Sequence, residues 1–362
     1  MIKSRKCIQN VLPYRPGKSL EDLKKNFGLS EIHQLSTNEN PLGPSSSSIE
    51  AVRVASLRSA RYPNGYSFDL RSALAKHLGV AVERLIFGAG SNEILKLLCL
   101  AYLDPDDEVI VPHPSFGEYG RLATVCGAKC KAIPLNGNFV ADLPAMASAI
   151  SSRTKIIFIC NPNNPTGTVV DQRSMRQMLY RIGEDVMVVL DEAYHEYVDD
   201  PNSPDGIALQ KEFPNVVAVR TFSHAYGLAG LRIGYAVAHE SVVYEIDKVR
   251  EPFHIGSVSQ AAALAALNDR EYLEKSILYN RMERDFLVER LREMGLAVLD
   301  SQANFLLVDV KTDAVRIFKG LLRRGVMVRS ADAFGYPTAI RVSIGLREEN
   351  NYFLKALMEC LA

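Results

Sequence analysis

Four short segments of this 362-residue chain carry residue types able to do chemistry together. Gly88-Ala89-Gly90-Ser91-Asn92 sets two glycines and a hydroxyl ahead of a helical run. The free N–H groups of a helix start attract an anion such as phosphate, although an ordinary glycine turn with a serine cap reads the same way. Asn161-Pro162-Asn163-Asn164-Pro165-Thr166-Gly167 is either a plain Pro-Gly turn or a rigid support that aims an asparagine amide at a polar ligand atom. Asp191-Glu192-Ala193-Tyr194 follows the apolar run VMVVL. A carboxylate there must meet a cation if the strand end is buried, and is a solvated loop acid if it is not. The segment from Thr221 to Arg232 offers two hydroxyls, Thr221 and Ser223, and a guanidinium, a set again suited to phosphate.

Such segments need a scaffold that brings strand ends together. From about Leu85, short apolar runs alternate with helical stretches. RLIFG precedes a helix from Ser91, EVIVP one near Phe116 and KIIFIC one near Asp171; VMVVL, VVAVR and RIGYAVA follow. This alternation predicts an α/β fold with a large, doubly wound, mostly parallel sheet and helices on both faces. Unbroken apolar runs such as IIFI and MVVL fit strands covered on both sides. Ligands of such sheets gather at the carboxyl ends of the strands, where the four segments fall. Residues 257–295 read as two helices, the second long. After Gly295, the runs LAVLD, FLLVDV, VMVRS and AIRVSIG, with helices over 312–323 and at the terminus, predict a small α+β domain. The expected division is an N-terminal arm and small-domain segment over 1–44 with a short helix near 20–26, a large domain over 45–275 and a small domain over 276–362. The serine run 45–48 reads as a loop before a helix.

Composition narrows the function classes. Lys and Arg number 42, as do Asp and Glu, so the formal charge is zero and offers no footprint for nucleic acid or an acidic membrane surface. A hydrophobic share of 47% belongs to a globular chain rather than a disordered one. No apolar run reaches membrane-span length and the first residues lack a signal-peptide core, which predicts a soluble cytoplasmic protein. Six cysteines are too few for a disulfide scaffold, and Cys126 with Cys130 lacks further ligands at metal-site spacing, so free thiols and no metal are expected.

Taken in order, LPYRPGKSLEDLKKNFGL, LSTNENPLGPS, RYPNGYSFDLR, GAGSNEI, NPNNPTG, DEAY, TFSHAYGLAGLRIGY, SQANFLLVD and IRVSIG resemble the histidinol-phosphate aminotransferase family. These are fold-type-I aminotransferases of class I/II that use pyridoxal phosphate, and the resemblance covers nearly the whole chain. It implies a homodimer with shared active sites and pyridoxal 5'-phosphate or pyridoxamine 5'-phosphate as cofactor. It also implies amino-group transfer between histidinol phosphate, or a similar amino phosphate or amino acid, and a 2-oxo acid such as 2-oxoglutarate. By the same resemblance Asp191 pairs with the protonated pyridine nitrogen, Tyr194 and Asn164 bond the ring hydroxyl, and Phe116 stacks on the ring. Gly90, Ser91 and Asn92, helped by Ser223 and Arg232, take the phosphate, while Tyr62 reaches that of the neighbouring subunit. Arg341 and Arg329 bind the anionic end of the substrate, and Tyr14 and Asn40 of the arm lie at the substrate.

One position departs from the family pattern. Where the family has a lysine after the serine of TFS, holding the cofactor as an imine and moving a proton, this chain has His224, and no lysine lies between Lys211 and Lys248. An imidazole has no primary amine and cannot hold the cofactor covalently, yet near neutral pH it serves as a general base. Three readings follow. The chain is an aminotransferase impaired by the exchange, or a native histidine-based enzyme of the dehydratase or decarboxylase type, for which fold-type-I sugar dehydratases with histidine here are the precedent. The third is a catalytically silent cofactor-binding homologue. A second departure is His254, where the family commonly has asparagine; it lines the substrate pocket or packs at the dimer interface.

Overall fold

The computed structural model describes residues 2–9, 11–13 and 20–362. In chain order its strands are β1 (His33–Gln34), β2 (Leu85–Gly88), β3 (Glu108–His113), β4 (Lys129–Pro134), β5 (Thr154–Cys160), β6 (Met187–Asp191), β7 (Val216–Thr221), β8 (Gly234–Val237), β9 (Ala297–Val298), β10 (Phe305–Asp309), β11 (Val326–Met327), β12 (Arg329–Ser330) and β13 (Ala339–Ser343). Seven of them form the large sheet, in the order β2-β8-β7-β6-β5-β3-β4. Only β8 runs against its neighbours; every other pair is parallel.

The unbroken apolar runs have the predicted cause. Val109, Val111, Ile156 and Phe158 face a core shared with the helices Ser91–Tyr102, Glu118–Cys126 and Glu240–Val249. Ile110, Ile157 and Ile159 point the other way, into a core with Leu143–Ser148 and Gln172–Ile182. Each such side chain removed from water contributes about 1.5–3 kcal/mol, so both faces demand apolar residues. β4 was not among the expected strands. It is the sheet edge, with Lys129 and Lys131 paired to Asp106 and Glu108, and charge of this kind keeps an edge from pairing with another chain.

The serine run is not a loop. Ser45 caps the helix Ser46–Ser56, its hydroxyl accepting from the Ser48 N–H at 3.2 Å, so the remaining serines form the first helical turn. The short helix Leu20–Phe27 and the pair Ser257–Asn268 and Arg270–Glu293 lie where the sequence places them.

The antiparallel sheet β12-β13-β10-β9 carries a separate core, in which Leu306, Val308, Ile340 and Val342 meet Leu287, Ile317, Leu321 and Phe353. Leu35 enters this core, and β1 pairs in parallel with β11 beside it, tying residues 33–35 to the C-terminal unit. VMVRS is not one strand; β11 and β12 belong to different sheets. The helix Arg270–Glu293 serves both units, with Leu273 packed against the large unit and Leu287 and Leu291 in the small core; positions 275 and 276 lie inside it. Among the described residues, no helix is long and apolar enough to cross a membrane, and no group of His, Cys, Asp and Glu is arranged to hold a metal ion. All six cysteines are free.

Candidate active site

Cys160, Asp191 and Thr221, the last residues of β5, β6 and β7, border a cavity of about 630 Å³ together with Ser91 and Asn92 at a helix start. The small sheet adds Arg329 and Arg341, and the segment after β1 adds Ser36, Thr37, Asn38 and Glu39.

At one end the chain builds a cradle from its backbone. Gly90, at φ +81°, precedes the helix Ser91–Tyr102, whose first turn has no side-chain cap. A Cβ on Gly90 would overlap the Arg232 guanidinium, so the glycine keeps open the space between helix start and cation. Arg232 donates to Ala229 O at 2.9 Å and lies 3.5 Å from the Ser223 hydroxyl. Uncapped N–H groups, a hydroxyl and a guanidinium converging on one point make an anion site.

Asp191 is buried. Its Oδ2 accepts from the Tyr119 hydroxyl at 2.7 Å and its Oδ1 from the Ala193 N–H at 3.2 Å, with no cation paired to it among the described residues. Burial outweighs these bonds and pushes its pKa up to about 6, the state of a carboxylate lacking a positive partner.

At the other end Tyr194 O accepts from the side-chain amides of Asn38 (3.0 Å) and Asn164 (3.1 Å), which leaves its own proton for the cavity; burial pushes its pKa up to about 12. The Asn164 orientation is settled by Arg341, whose Nη1 donates to Asn164 Oδ1 at 2.6 Å. Arg341 Nη2 donates to Ser36 O; among the described residues its buried Nε has no partner and no carboxylate pairs with it. Burial pulls its pKa down, as expected for a cation without a counter-ion. Arg329 stands opposite Arg341 in the β12–β13 register and is exposed at the cavity mouth.

The ring of His224 lies over Tyr194, centroids 4.5 Å apart, with Nδ1 2.7 Å from Asn38 O. Burial, reinforced by the charges of Arg341 and Arg232, holds its pKa down at about 4. No lysine borders this cavity among the described residues.

Most of the expected site residues therefore converge: Ser91, Asn92, Phe116, Asn164, Asp191, Tyr194, Ser223, His224, Arg232, Arg329 and Arg341 all line the cavity, and Gly90 adjoins it. Asn40 does not reach it. Its amide nitrogen is held by Ala225 O and Ser276 Oγ, and its oxygen accepts from Leu42 N, so it fastens the loop instead. Tyr62 lies on the surface, 84% exposed and stacked on Phe253 at 5.0 Å. Tyr14 lies outside the described residues. His254 also stands apart; its Nε2 is 3.1 Å from Phe87 O, and its neighbours are Gly65, Arg71 and Asp247. Two residues that sequence reasoning passed over matter here: Tyr119, in HPSFGEY, and Asn38, two positions before Asn40 in LSTNENP.

Comparison with known proteins agrees with this geometry. The family model described as aminotransferase class I and II matches residues 30–357. The chain belongs to this family. Among curated aminotransferases, the histidinol-phosphate aminotransferase of Moorella thermoacetica is 44% identical over 361 residues, spanning 99% of this chain and 93% of that protein. That of Caldicellulosiruptor saccharolyticus is 42% identical and spans 99% of both. Among solved aminotransferases, the histidinol-phosphate enzyme of Sinorhizobium meliloti, in complex with pyridoxal 5'-phosphate, superposes with a TM-score of 0.90 at 27% identity, covering 100% of this chain and 98% of that one. Aspartate aminotransferase of Thermus thermophilus with maleate gives 0.85 at 25% identity, covering 99% and 100%. The large mostly parallel sheet with its small companion is thus the fold-type-I aminotransferase architecture.

Proposed function

We propose that this pyridoxal-phosphate-dependent aminotransferase moves an amino group between histidinol phosphate, or a similar amino phosphate or amino acid, and a 2-oxo acid, and that His224 in place of the family lysine alters how it does so. One observation carries the reading: among the described residues, two charges without counter-ions face a single cavity, Asp191 buried without a cation and Arg341 buried without a carboxylate. Such groups are costly unless a ligand supplies the missing partner.

The residues fit the cofactor. The gap that a Cβ at Gly90 would fill, the uncapped helix start and Arg232 suit its phosphate. Asp191 would hold a protonated ring nitrogen, Tyr194 and Asn164 the ring hydroxyl, and Phe116 a ring face. Bound there, pyridoxal phosphate supplies an electron-withdrawing ring and a carbonyl that accepts the substrate amine. Arg341 and Arg329 would take the anionic end of the substrate. His224 lines the same space and offers a base but no amine, so the cofactor is held by noncovalent contacts alone. Proton transfer by a placed base is worth roughly 10² to 10⁴ in rate; with its pKa held at about 4, His224 keeps only part of that contribution, and covalent anchoring is lost. The seating of His224, stacked and hydrogen-bonded, favours a second reading: a working histidine enzyme of the dehydratase or decarboxylase type.

The proposal extends to a cytoplasmic homodimer, with an arm over 1–44, a large domain over 45–275 and a small domain over 276–362. The exposed Tyr62, stacked on Phe253, supports a role across the subunit interface at the partner's phosphate. An absorbance time course with pyridoxal phosphate and histidinol phosphate, run beside His224→Lys, tests the function. Faster formation of pyridoxamine phosphate by His224→Lys is the expected result. Turnover by the unaltered chain that His224→Lys abolishes, with release of water or carbon dioxide, would replace amino transfer by the second reading. Cofactor binding with no turnover in either protein overturns both.

A further inference from the structure

The surroundings of His224 determine which of its nitrogens carries the proton. Nδ1 lies 2.7 Å from the backbone carbonyl oxygen of Asn38. A carbonyl oxygen only accepts hydrogen bonds, so at this distance Nδ1 must bear the hydrogen; the other neutral tautomer would set two lone pairs against each other. Nε2 is then unprotonated. Among the described residues it has no hydrogen-bond partner, and the ring borders the cavity.

The Asn38 carbonyl is itself fixed from several sides. Asn38 adopts a left-handed backbone conformation, φ +59°. Its N–H donates to Ser343 Oγ on β13 at 2.9 Å, its Oδ1 accepts from the same hydroxyl, and its Nδ2 donates to Tyr194 O at 3.0 Å. Asn304 Nδ2 donates to the Asn38 carbonyl itself at 2.8 Å. The Tyr194 ring on which His224 stacks is thus anchored by the residue whose carbonyl sets the tautomer. Asn304 Oδ1 alone in this network lacks a partner among the described residues; the four bonds on Asn38 hold one arrangement.

We propose that Asn38 is a positioning residue: its carbonyl locks His224 as the Nδ1–H tautomer and presents the bare Nε2 to the cavity as the proton acceptor of the site. Burial, helped by the charges of Arg341 and Arg232, keeps the ring neutral near pH 7, where the choice of tautomer decides its chemistry. His224 then acts as a base first, and can donate from Nε2 only after it has taken a proton there. The proposal rests on the functional reading above only in treating the cavity as the place of reaction; the tautomer itself belongs to the chain without any ligand.

The test is long-range proton–nitrogen NMR on the ligand-free full-length chain with ¹⁵N-labelled histidine, the His224 signals assigned by their loss in His224→Gln. At pH 7 the expected result is a protonated-type shift for Nδ1 and an unprotonated-type shift for Nε2. A protonated Nε2, in either the neutral or the charged ring, overturns the proposal. Asn304→Ala and Ser343→Ala each remove one support of residue 38, and in whichever variant folds the Nε2–H share is expected to rise severalfold. Unchanged shifts in a folded variant with its Tyr194 signals displaced would remove Asn38 from the role. Because no cofactor or substrate is present, absence of amino transfer leaves this result standing, and a wrong tautomer leaves the aminotransferase reading intact.

Discussion

At the Gly90 end of the cavity the ligand-facing groups are backbone N–H groups, one hydroxyl and one arginine, with Ser223 and Arg232 only nine residues apart. At the His224 end the groups are side chains brought from distant parts of the chain. His224 meets Asn38 across 186 residues, and Arg341 meets Asn164 across 177. The first end joins two locally shaped segments, a positive-φ glycine ahead of a helix and the 223–232 loop, across 143 residues, and it tolerates little change in shape. The second depends on the small sheet and residues 36–39 docking against the large sheet, and it holds Arg341 buried without a carboxylate partner among the described residues. The two ends can therefore be altered separately.

The sharpest way to break the cradle end is Gly90→Ala. The added methyl meets the Arg232 guanidinium at a backbone conformation that disfavours side chains. Loss of two charge-assisted hydrogen bonds, each about 1.5–3 kcal/mol, weakens pyridoxal phosphate binding about 10³-fold, measured by fluorescence titration with the fold checked by circular dichroism. Binding within a factor of about three of the unaltered chain would show that the phosphate sits elsewhere.

At the other end, Arg341→Leu and Arg329→Leu separate a buried cation from an exposed one. Arg341→Leu is expected to weaken binding of the substrate's anionic group about 100-fold, whereas the solvent-screened Arg329 costs about 5-fold. Isothermal titration with histidinol phosphate measures both, and equal effects would contradict the assignment of Arg341 as the principal anion partner.

Acid titration gives the smaller effect, and its sign differs between two residues of the same cavity. The folded pKa of His224 is about 4 against an ordinary 6.5, so between those values the unfolded chain binds more protons, and stability falls as pH drops from about 6.5 to 4. Asp191 is raised from 3.8 to about 6; there the folded chain binds more protons, and stability falls as pH rises through the same window. His224→Asn should therefore gain about 2–3 kcal/mol at pH 4 relative to its own pH 7 difference from the unaltered chain, and Asp191→Asn should shift in the opposite sense. Denaturant melts at the two pH values measure this, and parallel shifts in both variants would disprove the opposed titrations.

Much of this molecule was legible beforehand. The strand–helix alternation from Leu85 and the four strand-end segments are local patterns, and they led to the right sheet and most of the cavity. Asn38 and Asn40 sit in the same short motif with the same side chain, and nothing in their sequence separates them. The structure turns Asn38 into the cavity through a left-handed backbone and spends Asn40 on Ala225 and Ser276. The edge strand β4 was missed because its charged, half-exposed face lacks the apolar run that marks the buried strands.

By itself the sequence determined the fold type, the glycine cradle and the absence of an amine at position 224, because each is a property of local pattern or of a single side chain. Only the tertiary structure decided which asparagine borders the cavity, that Asp191 and Arg341 are buried without an oppositely charged partner among the described residues, and which nitrogen of His224 faces the cavity. Those are matters of burial and of contacts between segments more than 100 residues apart along the chain. The free energy of a buried charge or hydrogen bond depends on everything packed around it, which no short stretch of sequence specifies.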